Sequence, residues 1–350
     1  MIAYFRTDAS ILIGSGHVIR CLTLAGRLAS VGYKAIFICR DLPGNLITFI
    51  EEKGFNCLKL PYSRAQKAEY EKLPLNDDYE LWRGVSLEQD RKETSQILKD
   101  NSAVLLVIDS YSLDTRWEEK IRPFTKRIMV IDDLANREHD CDILLDHNFY
   151  VNYETRYNGL VGEKCKKLLG PRFALINPEL EIVKKNRQTR GKTVFLKDIN
   201  NILVFLGGMD AKNYTQLAVD KIMSTAIFNE VMIHVVIGRR NPNKLRLKSR
   251  YHREENIIFH VQPNYYYELI EKADLAVGGG GVSVLERSFI GLPAFLICIA
   301  DNQKEIIDSS IRVGASKDFA DLDKFSQNLT NTNFARFETS ILDINEVVRC

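Results

Sequence analysis

The residues best suited to chemistry lie near the start of the chain, where a histidine follows a short glycine loop. Residues 14–16, Gly-Ser-Gly, precede His17, and a helical pattern of apolar residues begins at Val18. A glycine loop that opens a helix leaves backbone N–H groups able to face a ligand. The helix dipole disfavours an imidazolium at this position, so we expect His17 to be neutral and able to accept a proton. A histidine that only caps or packs the helix start is the alternative.

A second glycine-rich stretch, residues 278–281, runs directly into a helical pattern that contains Glu286. Four glycines before a helix predict an anion-binding site, because the N–H groups and the helix dipole both favour negative charge. A carboxylate at Glu286 can accept hydrogen bonds from two hydroxyl groups of one ligand. A solvent-exposed helix glutamate is the alternative. Spacing and pattern therefore indicate a ligand that carries phosphate, held mainly by the second half of the chain.

Alternating strands and helices surround both glycine stretches, and the same order occurs twice. In the first half the predicted strands are 2–6, 35–39, 57–60, 103–108, 127–131 and a last one that begins at 141–145. In the second half they are 202–206, 231–237, 257–261, 274–277 and 293–298. Polar residues such as Asp109, Tyr111 and the pair at 132–133 follow strand ends. This alternation predicts two doubly wound α/β domains, with ligands outside the carboxyl ends of the strands.

The length of 350 residues favours two domains of ordinary size. A charged, unpatterned run at 181–200 is the predicted linker between an amino-terminal domain, 1–180, and a carboxyl-terminal domain, 201–350. We expect the two domains to face each other across a cleft. The polar stretch 62–81 is predicted to be a loop with a helical piece, and a short helix is predicted near Asn345.

Composition excludes several functional classes. A net charge of +2 gives no electrostatic reason to expect nucleic acid as a partner. The seven cysteines are scattered without a CxxC pair, which favours reduced thiols over a disulfide framework or a zinc site. No apolar run has the length of a membrane span, and the amino-terminal residues lack a signal-peptide pattern. We therefore expect a cytoplasmic protein without membrane insertion.

Seven segments together resemble one family, in the order in which that family has them. These segments are 14–25, 130–134, 141–145, 170–175, 207–210, 286–293 and 302–303. The family is that of the UDP-2,4-diacetamido-2,4,6-trideoxy-β-L-altropyranose hydrolases of the pseudaminic acid pathway, relatives of the MurG glycosyltransferases. The resemblance spans roughly residues 1 to 315, and the ordered set is more specific than any single motif. It implies a GT-B-like fold of two Rossmann-like domains.

The resemblance also implies roles for individual residues. His17 would position or activate the hydrolytic water, and Glu286 would bind the ribose hydroxyls. Tyr111 and Asn302 would border the sugar, while Gly279, Gly280, Gly281 and Ser283 would hold the diphosphate. Strand-end capping is an equally ordinary role for Tyr111 and Asn302. The residues expected to bind the substrate are Gly16, Arg20, Asp109, Tyr111, Gly207, Gly208, Asp210, Gly279, Gly280, Gly281, Ser283, Glu286, Asn302 and Gln303.

The implied activity is a metal-independent, inverting hydrolysis that releases UDP and a free sugar. The sugar would feed synthesis of a nonulosonic acid used on cell-surface glycans or flagellin. UDP departs readily as an anion, so a base for water and donors for the diphosphate suffice, whereas a glycosidase usually needs two carboxylates. No cofactor is expected, the adjacent Asp132 and Asp133 are expected to form hydrogen bonds rather than bind metal, and the chain is expected to be a monomer or weak dimer. A GT-B glycosyltransferase and a non-catalytic nucleotide-sugar-binding protein are the alternatives.

Overall fold

The chain forms two compact units in the computed structural model. The model describes residues 1–74, 78–99, 103–187, 193–194, 199–225, 230–327, 332–335 and 338–349. The N-unit comprises Met1–Asn148, Asn152–Leu175 and Ile341–Cys350. The C-unit comprises Phe149–Val151 and Ile176–Ser340. None of the helices within these described ranges is long and apolar enough to span a membrane.

The N-unit is built on a parallel sheet. Its described strands are β1 (Ile2–Thr7), β2 (Lys34–Arg40), β3 (Asn56–Leu60), β4 (Ala103–Asp109), β5 (Ile128–Ile131), β6 (Ile143–Asp146) and β7 (Lys166–Leu169). They lie in the order β3-β2-β1-β4-β5-β6-β7. Because β1 and β4 are neighbours, the direction of winding changes between them, and doubly wound folds bind ligands at such a point.

Helices cover both faces of this sheet, which explains why β4 is a nearly continuous apolar run that is almost entirely buried. The helices of the N-unit are α1 (Gly16–Ser30), α2 (Ile47–Glu52), α3 (Arg64–Tyr70), α4 (Tyr79–Trp82), α5 (Leu87–Lys99), α6 (Thr115–Ile121) and α14 (Asn345–Val348). The apolar side of α1 buries Val18, Cys21 and Leu24 against the sheet. This packing fixes the direction of the helix whose first turn carries His17.

The strand predicted at 141–145 is not the last strand of the N-unit, since β7 pairs with β6 beyond it. The sequence pattern missed β7 because two of its four residues are lysines and only Leu168 and Leu169 are buried. Residues 341–349 belong to the N-unit, although the sequence predicted that residues 201–350 form the carboxyl-terminal domain. Leu342, Ile344 and Val347 are buried in the core of the N-unit, so this segment packs there.

The C-unit repeats the same winding. Its described strands are β8 (Thr193–Val194), β9 (Asn201–Phe205), β10 (Met232–Ile237), β11 (Ile257–Val261), β12 (Leu275–Gly279), β13 (Ala294–Ile297), β14 (Lys317–Asp318) and β15 (Thr332–Asn333). The main sheet has the parallel order β11-β10-β9-β12-β13-β14, whereas β8 and β15 form a separate antiparallel pair. The winding direction changes between β9 and β12. The prediction of two doubly wound parallel sheets is confirmed.

The helices of the C-unit include one that was predicted to be linker. They are α7 (Leu180–Arg187), α8 (Tyr214–Ser224), α9 (Lys244–Arg250), α10 (Tyr266–Lys272), α11 (Ser283–Ile290), α12 (Lys304–Arg312) and α13 (Leu322–Gln327). Leu180 and Val183 of α7 lie one turn apart and are both buried. Arg187 donates to carbonyl oxygens at the end of α10, including that of Ala273 at 2.6 Å. Of the predicted linker, residues 188–192 and 195–198 lie outside the described residues.

Candidate active site

His17 is held by a buried carboxylate. Asp109 is the last residue of β4 and pairs in register with Thr7 of β1, so the loop that follows β1 returns past it into α1. Asp109 Oδ1 lies 2.6 Å from His17 Nδ1. A carboxylate can only accept a hydrogen bond, and an unprotonated Nδ1 at this distance would be repelled, so Nδ1 carries the proton. The other ring nitrogen, Nε2, has no partner among the described residues and keeps some contact with solvent.

Arg20 binds the same carboxylate one turn further along α1. Its Nε and Nη2 donate to the two oxygens of Asp109, each at 2.6 Å, and its Nη1 donates to Asp133 at 2.9 Å. Burial alone raises the pKa of Asp109, but the charge of Arg20 and the contact with His17 outweigh it, and the pKa lies well below its usual range. Asp109 is therefore an ionised, fully buried acceptor that orients His17.

Two of the residues predicted to bind substrate have almost no exposed surface. Arg20 and Asp109 were expected to bind substrate, but the side chain of Asp109 is 0% exposed and that of Arg20 is 3% exposed. Asp109 accepts hydrogen bonds from Arg20 and His17, and Arg20 also donates to Asp133. These contacts hold the imidazole of His17 in place, and the substrate contact of Arg20 and Asp109 stays a prediction. Asp133, expected to form hydrogen bonds, also accepts one from Asn148 Nδ2 at 3.0 Å.

Tyr111 stands beside the imidazole, just beyond the end of β4. The two rings meet edge to face, with centroids 4.5 Å apart. Burial first, and then the nearby Asp133 carboxylate, raise the pKa of Tyr111 well above its usual value, so the phenol stays protonated. Gly16 is the first residue of α1 and is exposed, with no described atom near the place where a Cβ would lie. The structure thus brings Gly16, His17, Arg20, Asp109 and Tyr111 together.

The glycine stretch of the C-unit divides into a packed part and an open part. Gly278 and Gly279 end β12, and a Cβ on Gly278 would lie 2.5 Å from Arg287 Nη1. A Cβ on Gly280 would lie 2.6 Å from Ile307 Cγ1, and the N–H of Gly280 donates to Gln303 Oε1 at 2.9 Å. These glycines are therefore required by packing against neighbouring side chains. Gln303 was predicted to bind a ligand, and in the structure its amide oxygen accepts a hydrogen bond from this loop.

Gly281 and the first turn of α11 form the open part. Among the described residues, none accepts a hydrogen bond from the N–H of Gly281, Val282 or Ser283. The start of α11 also lacks a side-chain cap. Three unpaired N–H groups at the positive end of a helix are suited to an anion. The diphosphate contact expected at Gly281 and Ser283 stays a prediction, and these N–H groups are the donors that it would use.

Glu286 lies in the first turn of α11 and is partly exposed. Burial raises the pKa of its carboxyl to about 7, although the adjacent Arg287 charge opposes the rise. Its charge acts on Tyr266 and Tyr267 of α10, which places these phenols close to it. No described residue donates a hydrogen bond to this carboxylate. A partly desolvated, unpaired carboxylate is an acceptor available to hydroxyl groups of a ligand.

The remaining predicted residues lie at the carboxyl ends of β9 and β13. Gly207 and Gly208 follow β9, and Gly207 adopts a φ of +89°, which favours glycine. Asp210 accepts hydrogen bonds from the N–H groups of Tyr214 and Thr215, both at 2.8 Å, and so caps α8. Each oxygen of Asp210 accepts one of these hydrogen bonds, and its contact with a ligand stays a prediction. Asn302 is partly exposed in a turn, Asp301–Gln303, that follows β13.

Several known proteins are similar to this chain in sequence. A UDP-2,4-diacetamido-2,4,6-trideoxy-beta-L-altropyranose hydrolase of Campylobacter jejuni is 27% identical over 302 residues, which cover 86% of this chain and 92% of that protein. The chain is a relative of this hydrolase. The resemblance inferred from the motifs is confirmed. An uncharacterised protein of Methanocaldococcus jannaschii is 24% identical over 312 residues, and the match covers 87% of this chain but only 57% of that protein. No family model matches the chain.

Solved structures show which fold the chain shares. MurG of Acinetobacter baumannii aligns with a TM-score of 0.53 at 13% identity, over 94% of this chain and 90% of that one. UGT2 of Phytolacca americana, solved with UDP-2fluoro-glucose and pterostilbene, aligns with a TM-score of 0.61 at 10% identity, over 93% of this chain and 88% of that one. The prediction of a GT-B-like fold is confirmed.

The charge of Asp109 should make stability depend on pH. Because the pKa of Asp109 is lower in the folded protein than the value of about 4 in an unfolded chain, its contribution is present above about pH 4 and is lost below it. We expect Asp109→Asn to lower the free energy of unfolding at pH 7, measured by urea denaturation, by about 3–5 kcal/mol, since Arg20 then loses its buried anionic partner. The difference from the wild type should narrow as the pH falls to 3.

The exposed Glu119→Gln serves as the matched control, because it replaces a carboxylate by an amide on the surface of the same unit. The free energy of unfolding of this variant should stay within about 0.5 kcal/mol of that of the wild type at every pH. A difference between Asp109→Asn and the wild type that is constant from pH 7 to pH 3 would contradict an ionised Asp109.

Proposed function

We propose that this protein is a hydrolase that releases UDP from a UDP-linked 2,4-diacetamido-2,4,6-trideoxy hexose. The observation that carries the proposal is the 2.6 Å contact between Asp109 and His17 Nδ1, which leaves Nε2 as the proton acceptor. The similarity to the Campylobacter jejuni hydrolase along most of both chains supports the choice of substrate. The chain covers only 57% of the Methanocaldococcus jannaschii protein, so we make the proposal only for the two units described above.

In the proposed reaction His17 acts as a general base. Nε2 accepts a proton from water while the water oxygen attacks the anomeric carbon. The bond from that carbon to the terminal phosphate oxygen breaks, and its electron pair leaves with UDP. The negative charge of Asp109 stabilises the imidazolium that forms, as an orienting aspartate does in other histidine bases.

The C-unit would bind the leaving group. The N–H groups of Gly281, Val282 and Ser283 can receive diphosphate oxygens, and Glu286 can accept hydrogen bonds from the ribose hydroxyls. Donors that face the developing charge stabilise the departure of UDP, so the scheme requires no metal ion. Metal independence remains a prediction.

We further propose that the reaction inverts the anomeric centre. Retention would need a nucleophile that first forms a covalent intermediate with the sugar. The carboxylate next to His17, Asp109, has both oxygens bound and is 0% exposed, so it cannot reach the sugar. The burial of Asp109 supports a single displacement by water, and inversion remains a prediction.

A GT-B glycosyltransferase is the second candidate, because the fold is shared with MurG. Release of UDP without any acceptor separates the two candidates, since a transferase would release it slowly. A non-catalytic binding protein would not release it at all. Use of the sugar for pseudaminic acid and flagellin, a cytoplasmic location and a monomeric or weakly dimeric state remain predictions.

Turnover in oxygen-18 water tests the proposed bond cleavage. We expect one heavy oxygen in the free sugar and none in UDP, as read by mass spectrometry. His17→Leu should lower turnover at least about a thousandfold, while UDP still binds, because the proposed diphosphate donors belong to the C-unit. Heavy oxygen in UDP, a sugar phosphate among the products, or near-normal turnover of His17→Leu would contradict the mechanism.

The pH dependence of UDP binding tests Glu286. Its pKa of about 7 means that the carboxyl becomes ionised as the pH rises through neutrality. An ionised carboxylate accepts hydrogen bonds from both ribose hydroxyls, so UDP affinity should rise between about pH 6 and 8. Glu286→Gln should show only the smaller rise that comes from titration of the UDP phosphate, and should bind UDP about 1–3 kcal/mol more weakly at pH 8, as measured by calorimetry. The titration of the UDP phosphate is common to both proteins, so parallel profiles would exclude this role for Glu286.

A further inference from the structure

Three aromatic side chains form a continuous cluster that begins at the candidate base. Tyr111, which meets His17 edge to face, also contacts Tyr79 with ring centroids 5.0 Å apart. Trp82 lies 4.7 Å from Tyr79 and 5.9 Å from Tyr111 by the same measure. Tyr79 and Trp82 belong to α4, which begins within the polar stretch predicted to be a loop with a helical piece. This stretch therefore delivers two aromatic rings to the neighbourhood of His17.

The stretch is fixed to the loop that precedes His17. Tyr70, at the end of α3, is 1% exposed, and its hydroxyl donates to the carbonyl oxygen of Trp82 at 2.9 Å. The same hydroxyl lies 2.8 Å from Ser10 Oγ. Ser10 Oγ in turn accepts hydrogen bonds from two backbone N–H groups of the loop, including that of Ile13 at 3.0 Å. Tyr70 thus connects α4 to the turn that opens α1.

A second connection ties α4 to the loop that carries Tyr111. Arg83 directly follows α4 and is buried. Its Nη1 donates to the carbonyl oxygen of Ser112 at 2.6 Å, and its Nε donates to that of Val85 at 2.9 Å. Two independent attachments hold α4 in place, so the rings of Tyr79 and Trp82 have defined positions next to Tyr111.

We propose that Tyr79, Trp82 and Tyr111 form an apolar subsite for the methyl-bearing substituents of the sugar. The proposal rests on the proposed function, and it assigns the acetamido methyl groups and the C6 methyl group to this aromatic surface. Trp82 and Tyr111 are each 8% exposed, whereas Tyr79 is more exposed, so Tyr79 offers most of the accessible surface. Aromatic rings bind methyl groups well and offer few partners for hydroxyl groups. The subsite therefore favours diacetamido-trideoxy sugars over sugars with hydroxyl groups at C4 and C6.

Steady-state kinetics of Tyr79 variants test the subsite. Tyr79→Ala removes the exposed ring, and we expect KM for the UDP-diacetamido-trideoxy hexose to rise about 5- to 20-fold, with kcat changed less than about threefold. The affinity for UDP alone should not change, because UDP lacks these substituents. Tyr79→Phe retains the ring and should restore KM. An unchanged KM for Tyr79→Ala, or an equal loss of affinity for UDP alone, would overturn the subsite.

Saturation-transfer NMR tests the same contact without a Tyr79 variant. Selective irradiation of aromatic protons in His17→Leu should saturate the acetamido and C6 methyl protons of bound UDP-sugar more strongly than the ribose protons, which resonate outside the irradiated region. Weaker saturation of the methyl protons would overturn the subsite. The two proposals fail separately: methyl saturation without turnover by the wild type refutes the hydrolase, whereas turnover without methyl saturation refutes only the subsite.

Discussion

The carboxylate of Asp109 is the interaction on which the arrangement of the N-unit site depends. An ionised carboxylate without solvent contact is stable only if both oxygens are paired. Arg20 supplies two hydrogen bonds and His17 a third, so folding itself brings these side chains together. The neighbouring positions of β1 and β4 make this possible, because Thr7 lies beside Asp109 and the chain returns from there into α1.

The C-unit uses the same winding for a different purpose. Its change of direction, between β9 and β12, is followed by the unpaired N–H groups at the start of α11. In the proposed reaction, His17 of the N-unit accepts the proton from water, and the N–H groups of the C-unit stabilise the negative charge of the departing UDP. Each task requires few side chains, because the strand ends and helix starts already provide the geometry.

Periodic features could be predicted from the sequence, and contacts between distant residues could not. The apolar run of β4 and the pattern of α1 predicted the sheet and the position of His17. The pairing of Arg20 with Asp109 joins residues 89 positions apart, and no local pattern encodes it. The short β7 has too few apolar residues to stand out, and α4 is positioned by Tyr70 and Arg83 rather than by its own sequence.

The position of the proton on the His17 ring is the most direct test of whether Asp109 leaves Nε2 free to act as the base. Nitrogen-15 NMR of protein labelled at histidine distinguishes the two neutral tautomers by the chemical shifts and proton couplings of the ring nitrogens. If Asp109 orients His17 as a base, the neutral ring carries its proton on Nδ1, donated to Asp109, and Nε2 is unprotonated. A proton on Nε2 in the neutral ring would exclude His17 as the base, because the nitrogen assigned to accept a proton from water would already hold one.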